Sequence, residues 1–213
     1  MKYAIFDLDG TLIDSMWVWE NIDSEFLKIH GEVAPEGIRE RLRTLSVRQS
    51  SELLKSELNL SQSVEDIMAE IAMLGEDKYK NDVQLKPFVL ETLNNFKKNN
   101  VKMCIATASV RKNVISVMTR LNLLDYFDFI ITCDDIKTGK ENPEIYNLCL
   151  EKFGANINDI VIFEDSYHAI KTAKKAGFKV IGVYDKSSEN DILKIKEICY
   201  IYIENLGELE VLF

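Results

Sequence analysis

Phe6-Asp7-Leu8-Asp9-Gly10-Thr11-Leu12 closes an apolar run that begins at Tyr3, and it places two carboxylates two residues apart where a buried strand would leave the interior. A strand end is an unusual place for paired charge, so the chemistry available to it matters. A carboxylate has an unperturbed pKa of roughly 4, so Asp7 is an ionised nucleophile at neutral pH without a base to activate it. Its obstacle is repulsion from an anionic target such as phosphate. A divalent cation bound to both the carboxylate and a phosphate oxygen removes that obstacle, and Mg2+ suits hard oxygen ligands. Asp9 would then protonate a leaving oxygen and later deprotonate water. Gly10 lets the backbone turn tightly beside a substrate. By itself such a pair reads equally as a turn and helix cap. The attached Gly10-Thr11 and the preceding apolar strand favour a site.

Outward from this segment, further short apolar runs follow at Val101 to Ala106, Phe129 to Thr132, Ile160 to Phe163, Val180 to Tyr184 and Tyr200 to Ile203. Their length and β-branched content predict buried strands. Helical patterns lie between most of them: Phe88 to Asn99, Val110 to Leu121, Pro143 to Phe153 and Tyr167 to Ala176. Asn142 before Pro143 reads as a cap, and Gly177 follows a lysine-rich last turn. The alternation predicts an α/β fold with a parallel sheet covered on both faces. Residues 14–84 differ, with helical segments and no convincing strand. Trp19, Ile22, Phe26 and Ile29 recur at helical spacing, as do Leu53, Leu54 and Leu58, then Ile67, Ile71 and Leu74. The expectation is a core domain of residues 1–13 and 85–213 with a helical cap domain of residues 14–84. An insert after the first strand hangs over that strand's carboxyl end, where open parallel sheets bind ligands, and is placed to act as a lid.

Composition narrows the partners. The chain has 213 residues, 46% hydrophobic and 29% charged, as a folded globular protein should. A formal net charge of -9 disfavours nucleic acid or an anionic membrane surface, which need clustered cations. A small phosphorylated metabolite remains compatible, because a few local cations and a metal suffice for one phosphate. Cys104, Cys133, Cys149 and Cys199 form no metal-type cluster and sit in or beside apolar runs, as free thiols in a reducing cytoplasm do. No basic segment precedes a long apolar stretch, so a cytoplasmic location is expected; a monomer is expected as well. The ending Leu209-Glu210-Val211-Leu212-Phe213 resembles part of a protease-cleavage tag and is given no weight in the fold.

Asp7-Leu8-Asp9-Gly10-Thr11-Leu12 resembles the signature of the haloacid dehalogenase superfamily, in its phosphatase and β-phosphoglucomutase-like branch. Three more stretches match in order. Ile105-Ala106-Thr107-Ala108-Ser109 is similar to a second motif, which implies that the Thr107 hydroxyl binds the transferring phosphoryl group. The backbone N–H groups of Ala108 and Ser109 would add donors at the start of a helix, although Thr107 by itself reads as an ordinary cap. Gly139-Lys140-Glu141-Asn142-Pro143 is similar to a third motif, implying that Lys140 pairs with the phosphate and with Asp7. Ile162-Phe163-Glu164-Asp165-Ser166 is similar to a fourth, implying that Asp165 and Glu164 hold Mg2+ together with Asp7 and Asp9. The resemblance implies a Rossmann-like core with a helical cap and phosphate-ester hydrolysis through a phosphorylated aspartate.

The cap departs from the pattern. Trp19 stands where the mutase-like branch carries a histidine, which weakens a sugar-phosphate mutase reading, and the loop from Arg43 to Arg48 lacks a glycine common in relatives. Arg43 and Arg48 are candidate contacts for an anionic substrate, with solvated arginine as the ordinary alternative. Trp17 falls off the apolar stripe and either faces the substrate or packs on the core; Gly10 and Thr11 complete the candidate substrate set. His30 and His168 receive no catalytic role. A receiver-like phospho-aspartate switch uses a similar set of acids, hydroxyl and lysine, but needs no helical insert.

Overall fold

The computed structural model describes residues 1–31, 35, 37–42 and 44–211, with the backbone alone at 23, 39, 40, 210 and 211. Strand β1 (Tyr3–Phe6) leads to β2 (Ile13–Asp14) and then to helices α1 (Met16–Ile29), α2 (Ile38–Leu42), α3 (Val47–Glu57) and α4 (Val64–Asn81), before β3 (Gln84–Leu85) returns the chain. Alternation follows: α5 (Val89–Lys98), β4 (Lys102–Thr107), α6 (Arg111–Arg120), β5 (Phe129–Thr132), α7 (Cys133–Ile136), α8 (Glu144–Phe153), β6 (Ile160–Glu164), α9 (Tyr167–Lys175), β7 (Lys179–Val183), α10 (Ile192–Ile198) and β8 (Ile201–Ile203).

The main sheet has the order β5-β4-β1-β6-β7-β8, with every neighbouring pair parallel. Burial on both faces explains the uninterrupted apolar strands: Phe6, Ile105, Phe163 and Ile181 enter one core cluster, while Ile5, Cys104, Ile162 and Val180 enter the other. Phe6 stacks on Phe163 with ring centroids 4.5 Å apart, locking β1 to β6. Because β4 and β6 lie on opposite sides of β1, the connections diverge at its carboxyl end and leave a crevice there. Among the described residues, no helix is long and apolar enough to cross a membrane.

Residues 14–84 touch the rest of the chain at several places. The two linkers of this insert pair as antiparallel strands, Ile13 opposite Leu85 and Asp14 opposite Gln84. This short ladder was not legible in the sequence, since two residues show no periodicity. Helices α3 and α4 both open with capping boxes, Ser46 with Gln49 and Ser63 with Asp66. Helix α4 lies against α6 of the core, where Asn113 donates to the Ala72 carbonyl at 3.1 Å and Lys112 pairs with Glu76 at 2.7 Å. Gly75 permits this approach: a Cβ there would meet Ile22 Cδ1 at 3.0 Å and Asn113 Nδ2 at 3.2 Å.

Several expectations need correction. Ile29, the last position of the α1 stripe, is exposed, because the helix ends there and the chain turns at Gly31. Helix α8 starts at Glu144 with Pro143 at the cap position, and Asn142 instead donates to the Thr138 hydroxyl at 2.7 Å. Cys104, Cys133 and Cys149 are buried free thiols, whereas Cys199 is only half-buried. Leu209 carries weight after all: it is buried in the core, and Glu208 next to it accepts from the Glu204 backbone N–H at 2.8 Å.

Candidate active site

The sheet brings residues distant in sequence to one place. Asp7 leaves β1, Thr107 ends β4, and Glu164 and Asp165 end and follow β6, all at carboxyl ends of neighbouring strands. The loop before α8 supplies Lys140. Its ammonium is buried, donates to Asp7 Oδ1, and donates to Glu164 Oε1 at 2.7 Å. Glu164 Oε2 accepts from the Ser166 backbone N–H at 2.8 Å and hydroxyl at 3.1 Å. Asp165 Oδ1 accepts from the Thr11 hydroxyl at 3.3 Å. Gly10 takes φ +81°, and a Cβ there would lie 2.6 Å from Asp165 Oδ2, so only glycine lets this turn press against that carboxylate.

Asp7, Glu164 and Asp165 offer carboxylate oxygens within 4.8 Å of one another, all buried. Burial pushes Asp7 up to about 8 despite the opposing pull of Lys140. Burial, with Glu164 and Asp7 adding to it, also drives Asp165 well above the carboxylate range. Burial acts upward on Glu164 too, but the Lys140 charge and hydrogen bonds outweigh it and hold the group below its usual value. The same pairing keeps Lys140 charged against its burial. Burial thus favours the protonated forms of Asp7 and Asp165 beside a single ammonium, unlike the ionised Asp7 expected from the sequence. A divalent cation such as Mg2+ on these hard oxygen donors would favour the charged forms instead.

Asp9 stands apart from that cluster. Its carboxylate turns to a set of hydroxyls: Oδ1 accepts from Ser15 at 2.6 Å and from Tyr79, and Oδ2 accepts from Ser109 at 2.5 Å and Thr107 at 3.5 Å. Thr107 Oγ1 also accepts the Ser109 backbone N–H at 3.0 Å, so the second motif folds into one hydrogen-bonded turn. Tyr79 comes from α4 of the insert and is fully buried, with its ring edge-on to Trp19 at 6.4 Å. Burial and the Asp9 charge push its phenol well above the ordinary value, so it stays a donor. Neither Tyr79 nor Ser15 was singled out from sequence. Ile67, Ile71, Gly75 and Tyr79 do continue one buried stripe at intervals of four, which signals burial but not its partner.

The candidate contacts of the insert are placed unevenly. Arg48 reaches across to the core, donating to Asp134 at 2.9 Å and to Glu65 at 3.0 Å. It borders a cleft of about 130 Å³ with Ser46, Ala108, Ser109, Arg111 and Asp134, beside the hydroxyls that hold Asp9. Arg43 lies outside the described residues. Trp17 is partly exposed and donates to the Asp14 carbonyl at 3.0 Å, against the linker rather than in the cleft. His30 pairs with Glu70 at 3.0 Å inside the insert.

The haloacid dehalogenase-like hydrolase family matches this chain over residues 4–183. The chain belongs to that family. This hydrolase is 27% identical over 194 residues to the phosphorylated carbohydrates phosphatase of Thermotoga maritima, spanning 91% of the chain and 90% of that relative. It is 27% identical over 213 residues to validoxylamine A 7'-phosphate phosphatase of Streptomyces hygroscopicus subsp. limoneus, spanning 97% and 98% of the two chains. The crystal structure of a putative β-phosphoglucomutase from Thermotoga maritima superposes with a TM-score of 0.73 at 26% identity, over 100% of this chain and 98% of that one. The hydrolase is an enzyme of the phosphoric ester class, built on the family's α/β core.

Proposed function

We propose that this hydrolase cleaves a small phosphorylated metabolite, a sugar phosphate or similar ester, with Mg2+ and through a phosphorylated Asp7. The observation that carries the reading is the buried Asp7 carboxylate, set between the Lys140 ammonium and the acids Glu164 and Asp165, with Asp9 next along the turn. An Asp7 oxygen attacks phosphorus, the ester P–O bond breaks, and Asp9 gives its proton to the departing alkoxide. Asp9 then takes a proton from water, which attacks phosphorus as the bond to Asp7 breaks. Thr107, with the backbone N–H of Ala108, holds the phosphoryl oxygens, and Lys140 balances their charge. The Ser109 backbone N–H, expected to join them, is spent on Thr107 Oγ1. Asp7, Glu164 and Asp165 would hold Mg2+, which when bound supplies positive charge to the transferring group. The main-chain turn at Asp9, Gly10 and Thr11 shapes the entrance.

Residues 14–84 serve as a cap over this centre, with residues 1–13 and 85–213 as the core. Arg48 contributes the cap's contact to the substrate, and Arg43 is the second candidate for that role. The protein works as a monomer in a reducing cytoplasm, in keeping with its buried free thiols. The names of the curated relatives favour phosphate-ester hydrolysis, whereas the β-phosphoglucomutase-like neighbour favours transfer between sugar positions. Trp19 packs on Tyr79, on the insert helix stripe where a transfer-assisting imidazole would be required, and this favours hydrolysis.

A panel of metabolite monophosphates assayed with Mg2+ tests the reading. Phosphate release by the wild type, abolished in Asp7→Asn, is expected. No turnover of any ester, with Asp7→Asn indistinguishable from wild type, would overturn it. Isomerisation faster than phosphate release, dependent on a sugar bisphosphate, would establish the mutase instead.

A further inference from the structure

Lys86 lies on the linker that returns from the insert, one residue beyond β3, and its side chain is only 13% exposed. A lysine held that deeply needs partners for all three of its donors. It has them: Nζ donates to the Gly10 carbonyl at 2.5 Å, to the Tyr184 carbonyl at 2.5 Å and to Asp185 Oδ2 at 2.8 Å. Its backbone N–H adds a bond to the Leu12 carbonyl at 3.0 Å. One residue therefore grips the turn after β1 at two points and ties it to the loop after β7.

Both of those segments border Asp165. The Gly10 turn presses on the carboxylate directly, and Thr11 donates to it. On the other side, Asp185 accepts the Ser187 backbone N–H at 2.9 Å and hydroxyl at 2.7 Å, and Ser187 and Ser188 line the small opening in which Asp165 sits. We infer that Lys86 is a positioning residue for the metal site: by clamping Gly10 to Asp185 it holds the two walls that orient Asp165, and it wires the insert's return linker to metal affinity. The inference rests on the proposed Mg2+ site of Asp7, Glu164 and Asp165.

Charge alone predicts the opposite sign from position, which makes the idea testable. A cation behind the acid cluster repels a bound dication, so its removal would tighten metal binding by Coulomb's law. Loss of orientation would weaken binding, by about tenfold where outer contacts of metal ligands are removed. The experiment is calorimetric titration of Mg2+ into the folded protein without substrate, for wild type, Lys86→Met and Lys86→Arg. Weaker Mg2+ binding in Lys86→Met, with circular dichroism unchanged, is the expected result. Lys86→Arg keeps the charge but cannot place one compact ammonium among three acceptors, so it should weaken binding as well, and it carries the test if Lys86→Met does not fold. Binding that is unchanged or tighter in the folded variants overturns the clamp while leaving the metal site standing. A wild type that binds no Mg2+ overturns the site, and the clamp with it.

Discussion

Replacing Lys140 by methionine removes the ammonium that the Asp7 and Glu164 carboxylates share while keeping an unbranched stem up to the ε position. The three side chains are 4%, 8% and 2% exposed, so water cannot take over the role of the missing charge. Deleting one partner of a buried ion pair costs ~3–5 kcal/mol, chiefly through the uncompensated charge left behind. For a chain of this size 1 kcal/mol shifts the midpoint by ~2–4 °C, so thermal melts in chelator should show a fall of ~6–20 °C. The loss should shrink in excess Mg2+, because a dication bound only to the folded state stabilises it by mass action. Turnover should fall by ~10²–10³ even where the protein is fully folded, as for other preorganised groups that meet developing charge. Melts with and without Mg2+, and phosphate release well below the melting point, read these effects separately. A variant that melts within ~2 °C of wild type in chelator would show that Lys140 does not hold the acid cluster, and kcat near the wild-type value would remove it from the reaction.

Without metal, stability should depend on pH in an unusual direction. Asp7 is pushed up to about 8 in the folded protein from an ordinary 3.8, so between those values the folded state binds a proton that the unfolded chain does not. Stability in chelator should therefore fall as pH rises from 4 to 8, Asp165 acting in the same sense and Glu164 against it, and saturating Mg2+ should flatten the profile. Chemical denaturation across that range checks this, and stability that rises with pH in chelator would contradict it. Tyr79→Phe keeps the ring against Trp19 but removes a donor to Asp9; a hydrogen bond to a charged group contributes ~1.5–3 kcal/mol, so a lower midpoint and a several-fold lower kcat with little change in KM are expected. A higher kcat would mean instead that Tyr79 holds Asp9 away from the reacting atoms. Gly75→Ala should lower the melting temperature although alanine favours helix by ~1 kcal/mol, because its Cβ would press on Ile22 and Asn113 where α4 meets α6. A midpoint above wild type would show that the interface yields.

Much of the architecture lay in local pattern. Short β-branched runs alternating with amphipathic stretches could hardly be other than a parallel sheet covered twice, and neighbouring residues such as Ile5 and Phe6 fall into opposite cores as strand geometry demands. The helix starts shifted by a residue, as at Pro143, because capping is settled by nearby side chains that compete for the same donors. The short pairing of Ile13 and Asp14 with Leu85 and Gln84 left no trace in the sequence, since it depends on two linkers meeting across the whole insert.

The sequence by itself determined the chemistry available to this protein: two aspartates at the end of an apolar strand, a hydroxyl, a lysine and an acidic pair, each in a stretch that resembles one of the family's motifs. Tertiary structure decided how that set is divided. It gathered Asp7, Glu164 and Asp165 around one ammonium, and it turned Asp9 toward Ser15, Tyr79, Thr107 and Ser109. It also placed Lys86, an unremarked linker residue, behind the wall of Asp165. The physical reason is that periodicity and turn chemistry act over a few neighbouring residues. Burial makes every polar group find a partner wherever the fold has brought one, and Tyr79 meets Asp9 from 70 positions away.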